Sequence, residues 1–154
     1  MRLLFVLVLF VLAAFALPAI GQRSSSPQLL CQKVKNIKEL PRDWGEKGVD
    51  KTYDEIVAAG YTVIPCLIDN LTNVVVMRDP RCPTISTATT IGDISYFLLV
   101  DMLKLELTEL LPDDVKADFK TTGVYAYQEY VTRKGARKEL QMKLRKWYAD
   151  NKGK

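Results

Sequence analysis

Apolar positions along this chain recur at helical spacing in short bursts separated by Gly and Pro. Leu30, Val34 and Ile37 stand four and three residues apart, which predicts one amphipathic helix over Leu29–Leu40, ended by Pro41. The next ten residues, PRDWGEKGVD (41–50), read as a loop, with Trp44 folded back on the core. Asp50 is placed to cap a helix whose Tyr53, Ile56 and Val57 share a face, and Gly60 is placed to end it in the left-handed conformation. Thr62 is expected to start a second helix with Pro65 in its first turn and a stripe of Ile64, Leu67, Ile68 and Leu71.

Beyond residue 73 the pattern changes. VVVM (74–77) is β-branched and reads as a short extended stretch with no evident partner strand. Thr90 and Asp93 then have capping-box spacing, with Asp in place of the usual Glu. In the helix that follows, Ile91–Leu103, the positions Ile94, Phe97, Leu98, Leu99 and Met102 cover nearly the whole circumference, which predicts a central, buried helix. LPDD (111–114) opens another helix with its acids at the favourable end. Val124, Tyr127 and Val131 form one later face, and Ala136, Leu140, Leu144 and Trp147 form the last. The expectation is an all-α domain of six or seven short helices.

The stretch YDEIVAAGYTVIPCLIDNLT, with TTIGDISYFLLVDML (89–103) as the first helix of a following unit, resembles a HEAT-type helical repeat. In that family a first helix ends at glycine and a second opens with an apolar-Pro-apolar pattern before a Leu-x-x-Leu-like stripe. The resemblance spans about residues 50–103 and includes an insertion, 73–88, that a plain repeat lacks. It implies orthogonal helical hairpins and a scaffold that binds, with no reaction attached.

The N-terminus changes where this scaffold is expected to work. Met1-Arg2 precedes an unbroken apolar run, Leu3–Ala16, and then Pro18, Ala19 and Gly21, the pattern of a secretory signal peptide over 1–21 with Gln22 as the mature start. The alternative is an uncleaved anchor, for which the run is short. Residues 22–27 then read as a flexible start, 28–150 as a single helical domain and 151–154 as a tail, exported to a periplasmic or extracellular compartment. Loss of Arg2 lowers the net charge from +4 to +3, a small excess that is unevenly spread. Residues 93–118 carry seven acids against two lysines, and 133–154 carry nine bases against two acids. Two solvated helical faces explain this. A weak membrane-surface contact through the basic end is the sharper version, and export argues against nucleic acid.

Candidate chemistry is sparse. The chain has no histidine, which excludes Ser-His-Asp and Cys-His catalysis, histidine metal sites and histidine pH switching. Three cysteines in an exported chain suggest one disulfide and one free thiol. Pairing of Cys66 with Cys82 would close a loop worth roughly 3 kcal/mol and hold the insertion, while Cys31–Cys66 and Cys31–Cys82 are the other pairings. Cys82 as a nucleophile would have Arg78 and Arg81 to lower its pKa but no base. The hydroxyl run Thr84, Ser86, Thr87, Thr89 and Thr90 lacks a Ser-x-x-Lys arrangement and reads as capping and solvation. Asn70-Leu71-Thr72 is a glycosylation sequon inside an expected helix.

No metal, cofactor or catalytic residue is assigned. Tyr130, Arg133, Arg137, Arg145 and Tyr148 are one candidate binding face, and the insertion with Arg78 and Arg81 is the other. The leading expectation is a non-catalytic protein-binding protein, of immunity or inhibitor type or an envelope adaptor. The alternative is a cell-wall glycan hydrolase with a carboxylate pair drawn from Asp54, Glu55, Asp69, Asp93 and Asp101.

Overall fold

The computed structural model describes residues 26–41, 47–77 and 89–152. The expected leader, Trp44, Arg78, Arg81, Cys82, Thr84, Ser86 and Thr87 lie outside those residues. Among the described residues there are seven α-helices and no strand beyond one isolated β-bridge. The all-α expectation is met. No described helix is long and apolar enough to cross a membrane.

The centre of the molecule is the helix Ile91–Leu103, here α4 in chain order. Its residues from Gly92 to Asp101 are all buried. The start is set by a reciprocal capping box, in which Thr90 Oγ1 accepts from Asp93 N–H (3.3 Å) and Asp93 Oδ2 accepts from Thr90 N–H (2.8 Å). The short Asp carboxylate does the work of the usual Glu because it is held from other sides as well. At the far end Lys104 turns left-handed (φ 56°), and Leu105 N–H donates to Val100 O at 3.0 Å.

The preceding elements build one side of the sheath around it. α1, Pro27–Gln32, is capped by Ser26, and α2, Lys51–Ala58, by Asp50, whose Oδ1 accepts from Thr52 and Tyr53 N–H (2.7 and 2.9 Å). Gly60, at φ 59°, makes the left-handed reversal after α2 that a β-carbon would strain. α3, Ile64–Asn70, carries Pro65 in its first turn and packs along α4. α5, Asp113–Thr122, α6, Val124–Thr132, and α7, Ala136–Asn151, complete the fold, with α7 packing on both α3 and α6.

Three local expectations are corrected. The stripe of Leu30, Val34 and Ile37 does not continue as one helix. After α1 the chain tightens to a 3-10 turn (Lys33–Asn36) and becomes extended at Ile37, yet all three side chains stay buried. The second carboxylate oxygen of Asp50 accepts from Lys38 N–H (2.9 Å), so one residue caps α2 and holds the extended path that buries Leu40. Thr62 caps nothing. It donates from Oγ1 to Ala59 O (2.8 Å) within a 3-10 turn, and α3 starts two residues later. On α7, Tyr148 is buried beside Leu144, and Trp147 is only partly so.

Of the cysteines, two come together. Cys31 on α1 and Cys66 on α3 lie at disulfide distance, with Cα atoms 6.3 Å apart, the geometry of the Cys31–Cys66 pairing, while Cys82 lies outside the described residues. The reason is packing: α1 lies against α3, and that contact buries Cys31 beside Cys66. The described ends of the 73–88 insertion are held by backbone instead. Val76 bridges Thr90 antiparallel, with Met77 N–H donating to Thr89 O (2.7 Å) and Ile91 N–H to Val75 O (3.0 Å). The partner of the valine stretch is therefore the run-in to α4.

Candidate binding surface

Two buried carboxylates sit near the two ends of α4. Asp93, 5% exposed, is saturated: Oδ1 accepts from the Tyr127 hydroxyl (3.0 Å) and pairs with Arg137 Nη2 (2.9 Å), while Oδ2 accepts from Thr90 N–H and Oγ1 (both 2.8 Å). Four elements meet there: the valine stretch, bridged to Thr90, with α4, α6 and α7. Burial, followed by the Asp93 charge, pushes the Tyr127 hydroxyl well above its ordinary range, so it stays a proton donor.

Arg137 also reaches Leu71 O (3.5 Å) at the end of α3. One turn on, Gln141 Nε2 donates to Ile68 O (2.9 Å) and Asp69 O (3.1 Å), and one turn further Arg145 pairs with the Asp69 side chain. These three α7 side chains answer the carbonyls and negative pole that end α3. Their four-residue spacing was visible in the sequence, beside the Ala136, Leu140, Leu144 stripe, but its target was not.

Close approach at this junction depends on Gly92. A β-carbon there would lie 2.6 Å from Leu71 O, 2.9 Å from Arg137 Nη1 and 3.0 Å from Asn73 O. Gly92 N–H itself donates to Asn73 O (3.0 Å).

At the other end, Asp101 accepts from the Tyr53 hydroxyl (2.6 Å) and from Lys104 Nζ (3.1 Å). Burial, then the hydrogen bond to Asp101, raises Tyr53 well above its usual range. Asp93 and Asp101 are thus eight residues apart on one helix, about 12 Å along its axis. That exceeds the roughly 5–9.5 Å that glycoside hydrolysis requires. The remaining acids are engaged singly: Asp54 accepts from Gly48 N–H, Glu55 pairs with Lys33, and Asp69 with Arg145.

The α6–α7 face expected to bind is largely interior. Tyr130 and Tyr148 are buried, with hydroxyls donating to Ala136 O (3.3 Å) and Tyr61 O (3.4 Å). Arg137 belongs to the buried ion pair. Arg133 and Arg145 do reach the surface, paired with Asp114 (2.7 Å) and Asp69. The guanidinium of Arg133 holds the Asp114 carboxyl below its ordinary range. Through Arg133–Asp114 and Arg137–Asp93, the acidic and basic segments neutralise each other across the fold.

What the surface does offer is apolar. Val74, Val75 and Val76 are 64%, 60% and 63% exposed in succession. Beside them a shallow groove of about 510 Å³ runs from Val74 and Thr90 to the α6–α7 corner, where Val131, Arg133, Arg137 and Lys138 line it.

Fold and surface together define an all-α protein with Cys31 and Cys66 at disulfide distance between α1 and α3 and an exposed valine edge beside a shallow groove. No protein family, no curated protein and no solved structure matches the chain.

Proposed function

We propose that this chain is a non-catalytic exported protein that acts by binding another protein, in the manner of an immunity or inhibitor protein or an envelope adaptor. The observation that carries the reading is the run Val74–Val76, three adjacent valines each at least 60% exposed on a segment held by backbone hydrogen bonds. An ordered, contiguous apolar edge of this kind is what a partner covers. The candidate acids point the same way, since each supports the fold through its own hydrogen bond or ion pair. The signal-peptide pattern of residues 1–21 supplies the exported setting.

The basic C-terminal helix is a weaker surface for anions. Arg137, Lys143, Arg145 and Lys146 are all taken up in ion pairs, as is Arg133 just before it.

The test is capture of a partner from an envelope extract by the tagged mature chain. One stoichiometric protein is expected, and an empty capture at every salt concentration would overturn the proposal. N-terminal sequencing of the exported form is expected to begin at Gln22.

A further inference from the structure

The Val74–Met77 segment has one occupied side. In its antiparallel register Val75 O and Met77 N–H bond to Ile91 and Thr89, so the N–H and C=O of Val76, the residue between them, point the other way. Those two groups find no partner among the described residues. The segment thus presents an exposed hydrogen-bonding edge together with its valine side chains.

We propose that this outer edge is a strand-addition site for an extended, acidic segment of a protein partner. This rests on the reading of the chain as a binding protein, and it names the surface and the chemistry of the occupant. Main-chain bonds to Val76 would supply register, and alternate apolar side chains would cover the valines.

Charge selects the occupant. Val74 lines the same groove as Lys138, and among the described residues no acidic side chain lines it, while the Arg133 and Arg137 guanidiniums there are already paired with Asp114 and Asp93. Lys138 makes no ion pair among the described residues. Side chains of an added strand that fall on the Val74 face therefore meet the unpaired Lys138 ammonium. The same charge disfavours a second copy of this chain, whose own Lys138 would be brought up against the first.

The test uses a labelled synthetic peptide of alternating Glu and Val, with a Lys-Val peptide and a backbone N-methylated Glu-Val peptide as comparisons. Fluorescence anisotropy is expected to show the Glu-Val peptide binding at least about tenfold tighter than either comparison. Val76→Pro removes an N–H that no bond among the described residues uses and is expected to weaken binding by about tenfold, with the helical circular dichroism unchanged. Val76→Glu, which keeps the backbone and adds repulsion, is expected to weaken it as well, and so is Lys138→Glu. Equal binding of the Lys-Val peptide, no detectable binding of the Glu-Val peptide, or full binding by both folded Val76 variants would overturn the proposal. A dimer of the wild-type chain that Val76→Glu dissociates would overturn it too, by making the edge a self-interface. If the folded variants still capture the envelope partner, the edge is wrong and the binding reading stands. If the wild type captures nothing, that broader reading fails.

Discussion

Arg137 in the first turn of α7 closes on Asp93 in the first turn of α4, Nη2 to Oδ1 at 2.9 Å, with both side chains largely out of solvent. The pair brings together two helices that start more than forty positions apart in the chain. Tyr127 and Thr90 fill the remaining acceptor positions of Asp93, so breaking one partner exposes the others to an uncompensated charge.

Arg137→Met is therefore expected to cost about 3–5 kcal/mol, because it leaves a buried carboxylate without its cation. Asp93→Asn combined with Arg137→Met is expected to recover part of that loss. Urea unfolding followed by circular dichroism measures both, and a single-variant loss below about 1 kcal/mol would show that the pair is not a structural clamp.

Gly92→Ala sets two effects against each other. Alanine favours the helix by up to about 1 kcal/mol, but its β-carbon meets two backbone carbonyls and the Arg137 guanidinium at 3.0 Å or less. Overpacking of about 1–3 kcal/mol outweighs propensity, and a lower melting temperature is expected. An unchanged or raised melting temperature would mean that the α3–α4 junction yields easily.

Buried tyrosines make the fold sensitive to alkali. Tyr130 is pushed up to about 12, by burial first and then by the Glu139 charge, and Tyr53, Tyr96 and Tyr127 are raised too. A raised folded-state pKa gives a contribution fully present below the unfolded value of about 10 and lost as pH climbs through the folded value. The urea midpoint is expected to hold from pH 7 to 9 and to fall steadily above about pH 10. Tyr130→Phe is expected to make that fall shallower, and an unaltered slope would remove Tyr130 from the account.

The Cys31–Cys66 contact joins residues 35 positions apart, so a bond there would contribute about 4 kcal/mol in the chain-entropy model. Alkylation without reduction, read by intact mass, is expected to label one cysteine and peptide mapping to place it at Cys82. Reduction is expected to expose all three and lower the urea midpoint. Labelling of three before reduction would eliminate the bond.

The helical class, the caps at Asp50 and Thr90, the Gly60 reversal and the central position of α4 could all be read in the sequence, because each depends on residues within a turn or two of one another. Asp50 caps α2 and Thr90 with Asp93 caps α4 through atoms at most three residues apart. The apolar stripe through Leu30, Val34 and Ile37 was equally visible, yet the backbone carrying it was not: a 3-10 turn and an extended stretch bury the same side chains, and a distant Asp50 oxygen selected them.

Only the tertiary structure decided the long-range partnerships. The choice of Cys31 for Cys66 follows from how α1 lies on α3, and the choice of Arg137 for Asp93 from how α7 crosses the head of α4. It also placed Tyr130 and Tyr148 in the interior and tied Arg137 into a largely buried ion pair, and it left Val74–Val76 outside. Periodicity marks which face of a helix is apolar, but burial depends on what packs against that face, and that is a property of the whole assembly.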